Sequence, residues 1–272
     1  MDVETLLGRP KSVKIARVVT ETKRARTITF NPQVNHQEIR SGQFLMVWIP
    51  DEDEIPMSVS LSNSSEIGIT VLPVGTATEA LASMSVGQYI GIRGPFGTHF
   101  STDVENALVV GGGIGTAPLR LLVYDLLESG SSVTFLIAAR TRDDLLFIKE
   151  FSKVPKVNLL TSTDDGSHGM KGLATDSVLK ILKEATFDKL YTCGPEPMMK
   201  DLHTISSQHG IFMEASLERF MKCGCGICGT CALDPTGDLV CVEGPVFTSK
   251  MLDAIEEFGH YHRDSTGART EF

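Results

Sequence analysis

The spacing of hydrophobic and polar positions divides this chain into three parts. Up to about residue 100, short runs rich in β-branched and aromatic residues recur between turn-forming Gly, Asn and Ser. Runs of this kind are typical of strands in a small antiparallel barrel or sandwich, and one stretch of helical spacing interrupts them. The predicted strands are 13–19, 26–30, 43–49, 57–62, 67–73 and 89–94, and the predicted helix is 76–84.

From about residue 105 the pattern changes to an alternation of strand-like and helix-like stretches. Such an alternation predicts an α/β domain, a doubly wound parallel sheet with helices on its faces. A buried strand runs into a glycine loop within 106–115. Later strands are predicted at 133–139, 156–162, 189–194 and 211–218, and helices at 116–129, 143–151, 174–185 and 196–208.

From residue 219 neither period continues, and a segment rich in Cys and Gly begins. A hairpin turn is predicted at 234–237, a short helix at 249–258, and a loose polar tail at 262–272. We therefore expect three units. They are a β-barrel at 1–101, an α/β nucleotide domain at 102–216 and a cysteine-rich segment at 217–272.

Composition narrows the class of protein. The chain has 272 residues, 42% of them hydrophobic and 22% charged, which is enough to bury a core. Its net charge of −9, without clustered Lys or Arg, argues against a nucleic-acid partner. No apolar run reaches the roughly 18 residues of a membrane span. Five of the six cysteines lie in the last quarter of the chain, which favours a metal site and a reducing, cytoplasmic location over a disulfide framework.

A glycine loop follows the first strand of the predicted sheet. Gly112, Gly113 and Gly115 lie between that strand and the next helix, where backbone N–H groups and the helix dipole favour phosphate groups. Thr116 occupies the place of the third glycine of the dinucleotide fingerprint, and Arg140 follows the next strand where an acidic residue is usual. The loop alone fits a nucleotide site or a tight turn equally well.

A second strand-end motif strengthens the nucleotide hypothesis. Cys193, Gly194 and Pro195 end a later predicted strand, at the sheet edge where ligands of parallel sheets bind. The alternative for Cys193 is a small buried hydrophobic residue. Two such motifs in one sheet predict a nucleotide crevice between them.

The cysteines fit three kinds of metal site. Cys225, Cys228 and Cys231 begin like a 4Fe–4S run, but the fourth cysteine before Pro235 is missing. Zinc prefers two C-x2-C pairs, and Cys241 has no near partner in sequence. The remaining combination has the plant-type 2Fe–2S spacing, C-x4-C-x2-C and a fourth cysteine after nine residues. Its four members are Cys223, Cys228, Cys231 and Cys241.

The spacing favours the 2Fe–2S cluster and leaves Cys225 as the surplus cysteine. Such a cluster moves one electron, whereas a nicotinamide moves a hydride, which carries two. A flavin is the usual carrier between them, and the N-terminal barrel is the expected place for it.

The order of these motifs resembles the ferredoxin-NADP reductase superfamily, and more closely the electron-transfer subunits of NAD-dependent dihydroorotate dehydrogenases. The matching stretches are IPMSVS, GPFGTHF, VVGGGIGTAPL, AARTRDDLLF, TDDGSHGMKG, CGPEPMM, SLERFMKCGCGICGTC and CVEGPVF. The last two are the most specific, and together the matches extend over nearly the whole chain.

The resemblance implies an FAD in the barrel. Its isoalloxazine would lie along a stretch matching the family's R-P-x-S motif, and its pyrophosphate along a second stretch that follows the fifth strand. The first stretch comprises Ile55, Pro56, Met57 and Ser58, and the second Leu72, Pro73, Val74, Gly75, Ala77 and Thr78. Two residues depart from the family pattern. Ile55 replaces an arginine, and Ala77 replaces a glycine.

The resemblance also implies a division of labour. Dihydroorotate would be oxidised on a separate FMN-containing subunit, in a complex we expect to be a heterotetramer, and electrons would reach NAD+ through the cluster and FAD. No catalytic triad or paired carboxylates are evident, which agrees with a relay that positions cofactors. Two alternatives stay open: a subunit of a bifurcating or sulfhydrogenase-like complex, for which Arg140 and Arg142 keep NADP(H) possible, and a non-enzymatic zinc-stabilised nucleotide-binding module.

Overall fold

Six strands of the N-terminal part close into an antiparallel barrel. A computed structural model describes residues 8–31 and 39–272. Neighbouring strands follow the order β1-β2-β5-β4-β3-β6 around the barrel, which decides the barrel against the sandwich. The strands are β1 Lys11–Thr20, β2 Arg26–Phe30, β3 Phe44–Trp48, β4 Glu54–Ser62, β5 Ile67–Val71 and β6 Tyr89–Phe96.

The barrel closes around inward-facing aliphatic side chains. Ile28, Val47, Val59 and Ile69 are all fully buried in one core. Burying each such side chain stabilises the fold by about 1.5–3 kcal/mol. The spacing of these apolar residues along the chain is what predicted the barrel strands. The predicted helix is present as α1, Thr76–Ser83.

The second part is a seven-stranded sheet with helices on both faces. Its order is β10-β9-β8-β7-β11-β12-β13, parallel except for β13, which pairs antiparallel with β12. The strands are β7 Asn106–Gly112, β8 Ser132–Ala139, β9 Val157–Thr163, β10 Met170–Lys171, β11 Lys189–Cys193, β12 Phe212–Ser216 and β13 Val246–Thr248. The helices are α2 Thr116–Glu128, α3 Ile148–Phe151, α4 Ala174–Glu184 and α5 Glu196–Gln208.

The helix predicted at 143–151 is interrupted. A 3-10 turn at Arg142–Asp144 and the single turn of α3 are helical, but residues 145–147 between them are not. Leu145, Leu146 and Phe147 are all buried there. Phe147 adopts φ +58°, a left-handed conformation that the burial of its ring stabilises.

The third part adds irregular chain to the first two. The helix predicted at 249–258 ends early, as α6 Ser249–Leu252, because the following turns carry Ile255, Glu257 and Phe258 into the interior. The tail predicted to be loose forms a hairpin instead, β14 Tyr261–Arg263 with β15 Arg269–Glu271. No helix among residues 8–31 and 39–272 is long and apolar enough to cross a membrane.

One hydrophobic core joins all three parts. Phe44, Met46 and Phe96 of the barrel are buried in the same cluster as Cys231 and Leu233 of the cysteine segment. Residues of α4, α5 and β12 belong to it as well. The cysteine segment is therefore packed between the barrel and the α/β domain.

Candidate functional site

A cavity of about 540 Å³ includes wall residues from the barrel and from the carboxyl ends of the parallel strands. This is where open α/β sheets bind their ligands, and the volume is ordinary for a cofactor site. Five residues identified from the sequence contribute to the wall. They are Leu72 from the barrel, Gly112, Gly113 and Pro195 from the two strand-end motifs, and Arg140.

The two strand-end motifs pack backbone against backbone. A Cβ atom on Gly115 would lie 2.5 Å from the carbonyl carbon of Cys193 and from the Cα of Gly194, and a Cβ on Gly194 would lie 2.9 Å from the Cα of Gly112. Only glycine permits so close an approach. The predicted meeting of both motifs at one crevice is thus present in the fold, with Gly115 beneath the loop rather than in the wall.

Thr116 and Cys193 are buried behind the cavity. Thr116 is fully buried, and its hydroxyl has no hydrogen-bond partner among the described residues. Cys193 is 2% exposed, and burial raises the pKa of its thiol well above the ordinary value. A thiol in that state is neutral, so Cys193 acts here as a small packing residue under the crevice.

Charged side chains at the cavity are mostly ones that the sequence analysis did not identify. Of the two arginines proposed from the sequence, Arg140 lies in the wall and Arg142 does not. Arg24 of the barrel adds a second cation, and its Nη2 donates to the carbonyl of Pro73 at 3.0 Å. Three carboxylates complete the wall: Asp144, Asp164 and Asp201. Asp144 and Asp164 lie in two of the stretches that match the family, AARTRDDLLF and TDDGSHGMKG, but neither stretch by itself assigned them to the crevice.

The predicted flavin stretches occupy one strand and one loop of the barrel. Ile55, Pro56, Met57 and Ser58 lie in β4 and are half-buried. The second stretch runs from the end of β5 into α1, and Thr78 fixes its shape. The Oγ1 of Thr78 accepts the N–H groups of Val74 at 2.9 Å and Gly75 at 3.0 Å, and donates to the Gly75 carbonyl at 2.8 Å.

The departure at Ala77 is accommodated by packing. Ala77 lies in the first turn of α1, partly buried against the barrel core, where a methyl group is favourable. Ile55 also packs against this core, so its side chain supplies apolar contact in place of the family's cation.

The four predicted cluster ligands are hydrogen-bonded in two pairs. Cys223 is hydrogen-bonded to Cys228 and Cys231 to Cys241, and Cys225 is also hydrogen-bonded to Cys223. Within the described part of the chain, no three His, Cys, Asp or Glu side chains converge as ligands of a single ion. A mononuclear zinc site needs three or four ligands at one point, whereas each iron of a 2Fe–2S cluster takes two cysteines. Two pairs therefore fit two irons better than one zinc.

Hydrogen-bond donors already surround these sulfurs. The backbone N–H groups of Ile227 and Cys228 donate to Cys223 Sγ, both at 3.4 Å, and Gly226 N donates to Cys241 Sγ at 3.2 Å. Burial alone would raise the pKa of Cys223, but these backbone donors lower it to about 6. The hydrogen bond from Cys241 likewise lowers the pKa of Cys231 to about 7. The thiolate form, which binds iron, is thus favoured at Cys223 and Cys231, whereas the hydrogen bond to Cys231 and burial raise the pKa of Cys241.

Glycines let the segment approach the barrel. Gly224 has φ +69°, and a Cβ there would lie 2.6 Å from Met46 Cγ. Gly226 has φ +84°, and a Cβ there would lie 2.8 Å from the Val242 side chain. Both the left-handed conformation and the close contact require glycine at these positions.

The surplus cysteine points to a contact that the sequence did not predict. Cys225 interacts with the guanidinium of Arg93, whose Nη2 also donates to the Cys223 carbonyl at 3.2 Å. Burial and the neighbouring Cys223 raise the pKa of the Cys225 thiol.

A buried charge network anchors the segment to the α/β domain. Arg219 donates from Nη1 to Glu196 at 2.6 Å and from Nε to Glu257 at 2.6 Å, and the three side chains are 5% exposed or less. Glu196 begins α5 directly after Pro195, and Glu257 also accepts the backbone N–H of Asp234 at 3.0 Å. The network therefore joins the crevice to the cysteine segment.

Two family models match the chain. Residues 109–204 match the oxidoreductase NAD-binding domain, and residues 218–253 match the iron-sulfur cluster binding domain of dihydroorotate dehydrogenase B. The first range contains both strand-end motifs, and the second contains all the paired cysteines. The zinc-module alternative is wrong, because the matched domain binds an iron-sulfur cluster.

Curated relatives match along nearly the whole chain. The probable electron transfer subunit of dihydroorotate dehydrogenase B (NAD(+)) from Methanothermobacter thermautotrophicus is 45% identical over 96% of this chain and 97% of its own length. The corresponding protein of Methanocaldococcus jannaschii is 39% identical over 97% of this chain and 99% of its own length.

Solved structures share the fold. A chain from the NADH-dependent reduced ferredoxin-NADP oxidoreductase, studied for flavin-based electron bifurcation, superposes with a TM-score of 0.81 at 30% identity, covering 91% of this chain and 92% of that one. The FAD/NAD-binding domain of a Vibrio cholerae nitric oxide dioxygenase has a TM-score of 0.65 at 17% identity, covering 75% and 94%. The predicted combination of flavin-reductase barrel and nucleotide domain is confirmed.

The chain is an oxidoreductase component with an NAD-binding domain and an iron-sulfur binding domain, and it belongs to the family of dihydroorotate dehydrogenase B electron transfer subunits.

Proposed function

We propose that this chain relays electrons between NAD+ and an FMN-containing dihydroorotate dehydrogenase catalytic subunit, in pyrimidine biosynthesis. It would do so as half of a cytoplasmic heterotetramer. The observation that carries the proposal is the two thiol pairs, set in a segment that shares one core with barrel strands β3 and β6. The near full-length likeness to named electron transfer subunits supports the choice of partner.

The proposed cluster ligands are Cys223 with Cys228 on one iron and Cys231 with Cys241 on the other. The donors to Cys223 and Cys241 support this set, because N–H groups directed at sulfur stabilise the negative charge of a cluster. Bound there, a 2Fe–2S cluster would exchange single electrons and an FAD in the barrel would link them to two-electron hydride chemistry.

The proposed flavin residues are the half-buried stretch from Ile55 to Ser58 and the loop from Leu72 to Thr78. A loop whose shape is fixed suits a pyrophosphate, and the Thr78 hydroxyl holds this loop by accepting the N–H groups of Val74 and Gly75. We assign the barrel unit to 1–101, the nucleotide unit to 102–216 and the cluster unit to 217–272.

The proposed nucleotide residues are the strand-end glycines and the C-G-P motif. Gly112, Gly113 and Pro195 would contact NAD directly, and Gly115, Thr116, Cys193 and Gly194 would hold the crevice open from beneath. Asp144 and Asp164 in the cavity wall favour NAD over NADP, since a carboxylate accepts ribose hydroxyls and repels a 2′-phosphate. Arg140, a cation in the same wall, would instead favour the 2′-phosphate of NADP.

The partner surface is proposed to surround the cluster segment. Phe220, Ile227 and Val242 are large apolar residues there, 37%, 67% and 45% exposed. Exposed apolar side chains beside polar surface are typical of interaction sites. Electron transfer to another subunit requires a short path, and the segment is the part of the chain where such a path would end.

The purified chain tests the proposal directly. We expect one FAD, two irons and two sulfides per chain, oxidation of NADH with an artificial acceptor at a lower KM than NADPH, and no oxidation of dihydroorotate. Addition of the catalytic subunit should restore dihydroorotate-dependent reduction of NAD+. Efficient oxidation of dihydroorotate by the isolated chain would contradict the division of labour.

A second candidate is a subunit of a bifurcating complex, which the likeness at TM-score 0.81 favours. The relatives at 37–45% identity carry the dihydroorotate dehydrogenase name, which favours the first candidate. Reduction of NADP+ by NADH together with reduced ferredoxin in the native complex, with no transfer from a dihydroorotate dehydrogenase subunit, would select the second.

A further inference from the structure

A charged pair joins the cysteine segment to the strand of the proposed flavin site. Arg93, on β6, donates from Nε to Glu54 Oε1 at 2.8 Å and from Nη2 to Glu54 Oε2 at 2.6 Å. Each carboxylate oxygen thus accepts one bond, the bidentate geometry that fixes both side chains. The side chains are 11% and 22% exposed, so solvent screens the pair only weakly.

The same guanidinium holds the cysteine segment. Its Nη2 donates to the Cys223 carbonyl at 3.2 Å, and it interacts with the Cys225 thiol. The guanidinium also packs over the Phe96 ring, whose centroid lies 5.6 Å from Arg93 Cζ. Glu54 directly precedes Ile55 in β4, so Arg93 lies between the first proposed cluster ligand and the first proposed flavin residue.

Electrostatics gives this position a consequence for electron transfer. A cluster held by four thiolates is negatively charged and gains one further negative charge on reduction. A weakly screened cation beside it stabilises the reduced form more than the oxidised form, and a carboxylate does the opposite. Arg93 contacts the cysteine segment directly, whereas Glu54 is linked to it through Arg93. The cation therefore has the stronger effect on the cluster potential.

We propose that the Arg93–Glu54 pair sets the reduction potential of the cluster, with Arg93 raising it and Glu54 moderating it. Arg93 is a positioning residue that acts on the cluster through its charge and through the Cys223 backbone. The inference rests on the proposed ligand set. It also gives a role to the charge of Arg93, which neither the cysteine spacing nor the flavin motif explains.

The test measures the cluster potential by an EPR-monitored redox titration of the purified full-length chain. Arg93→Met should lower the ratio of reduced to oxidised cluster about tenfold at a fixed potential, a shift of about 59 mV for one electron. Glu54→Gln should shift it upward by a smaller amount. The double variant should lie between the two, and Arg93→Lys, which keeps the charge, should remain near wild type.

Controls separate charge from folding and from the proposed function. Arg17→Met removes a cation from the ion pair with Glu66 elsewhere on the barrel and should leave the potential unchanged. If Arg93→Met does not retain iron, Glu54→Gln still decides the sign, because an unchanged or lowered potential in that variant would contradict the proposal. Potentials equal to wild type in loaded Arg93→Met and Glu54→Gln would overturn this inference alone. A wild-type chain that binds no iron or sulfide would overturn the ligand set and this inference with it.

Discussion

The nucleotide crevice and the cysteine segment place their functional groups by opposite means. The crevice is formed by main chain: two glycine motifs end neighbouring parallel strands, β7 and β11, and pack directly on each other. The cysteine segment has no strand or helix between residues 219 and 245, and side-chain anchors hold it. These anchors are the Arg219 network, the Arg93 pair and packing on Met46.

This difference teaches what each region tolerates. Space is the critical quantity in the crevice, because an added methyl group meets backbone that cannot move. Charge and ligation are critical in the segment, because removal of one anchor or thiol leaves its partners buried without compensation. Substitutions in each region can therefore test this difference.

The largest effect is expected from the proposed ligands. Cys228→Ser and Cys241→Ser should each lose most of the iron and acid-labile sulfide, because each removes one of the two thiolates on an iron. Cys225→Ser should retain both, since Cys225 lies outside the plant-type 2Fe–2S spacing formed by the other four cysteines. Metal and sulfide analysis with the visible spectrum checks this. Retention by Cys241→Ser with loss by Cys225→Ser would mean that the surplus cysteine was chosen wrongly.

The next effect concerns the buried network. Arg219→Met leaves Glu196 and Glu257 buried without their cation, which should lower the free energy of unfolding by about 3–5 kcal/mol. Denaturant unfolding of the loaded chain is the measurement. Arg17→Met, which breaks the pair between a 52% exposed arginine and Glu66, should cost no more than about 1 kcal/mol. Equal losses in both variants would show that the network is not an anchor.

A smaller effect is expected in the crevice. Gly115→Ala places a Cβ 2.5 Å from the Cys193 backbone, and overpacking of this kind costs about 1–3 kcal/mol. The KM for NADH should rise about tenfold while iron content stays at the wild-type level. An unchanged KM in a folded Gly115→Ala chain would contradict the close-packed crevice.

The smallest effect concerns the C-terminal hairpin. Asp234 in the cysteine segment accepts hydrogen bonds from Arg263 at 2.6 Å and Tyr261 at 3.0 Å, and Arg263 lowers the pKa of this carboxyl. Its folded pKa lies below the unfolded value, so the pair stabilises above about pH 4 and the contribution is lost as pH falls. Asp234→Asn should remove at most about 1 kcal/mol. The difference from wild type, measured by thermal unfolding, should vanish in acid.

Much of the fold could be predicted because its strands repeat a simple period. The barrel strands and the parallel strands were located within a few residues, since alternating or continuous burial specifies each one locally. The errors lie where burial follows no period. Leu145 to Phe147 are all buried, and Glu257 is a buried carboxylate. Neither stretch therefore forms the whole of the helix that its spacing predicted.

The spacing of residues along the chain is enough to predict the strands of the first part, the nucleotide domain and the cysteine pattern, because it reflects turn geometry and metal ligation. The strand order that closes the barrel was decided by the tertiary structure. Tertiary structure alone decided which charges meet: Arg93 with Glu54, Arg219 with Glu196 and Glu257, and Asp234 with the tail. The partners in each case are 23 to 39 residues apart in the chain. No local period relates residues at such separations, and only the packed chain brings them together.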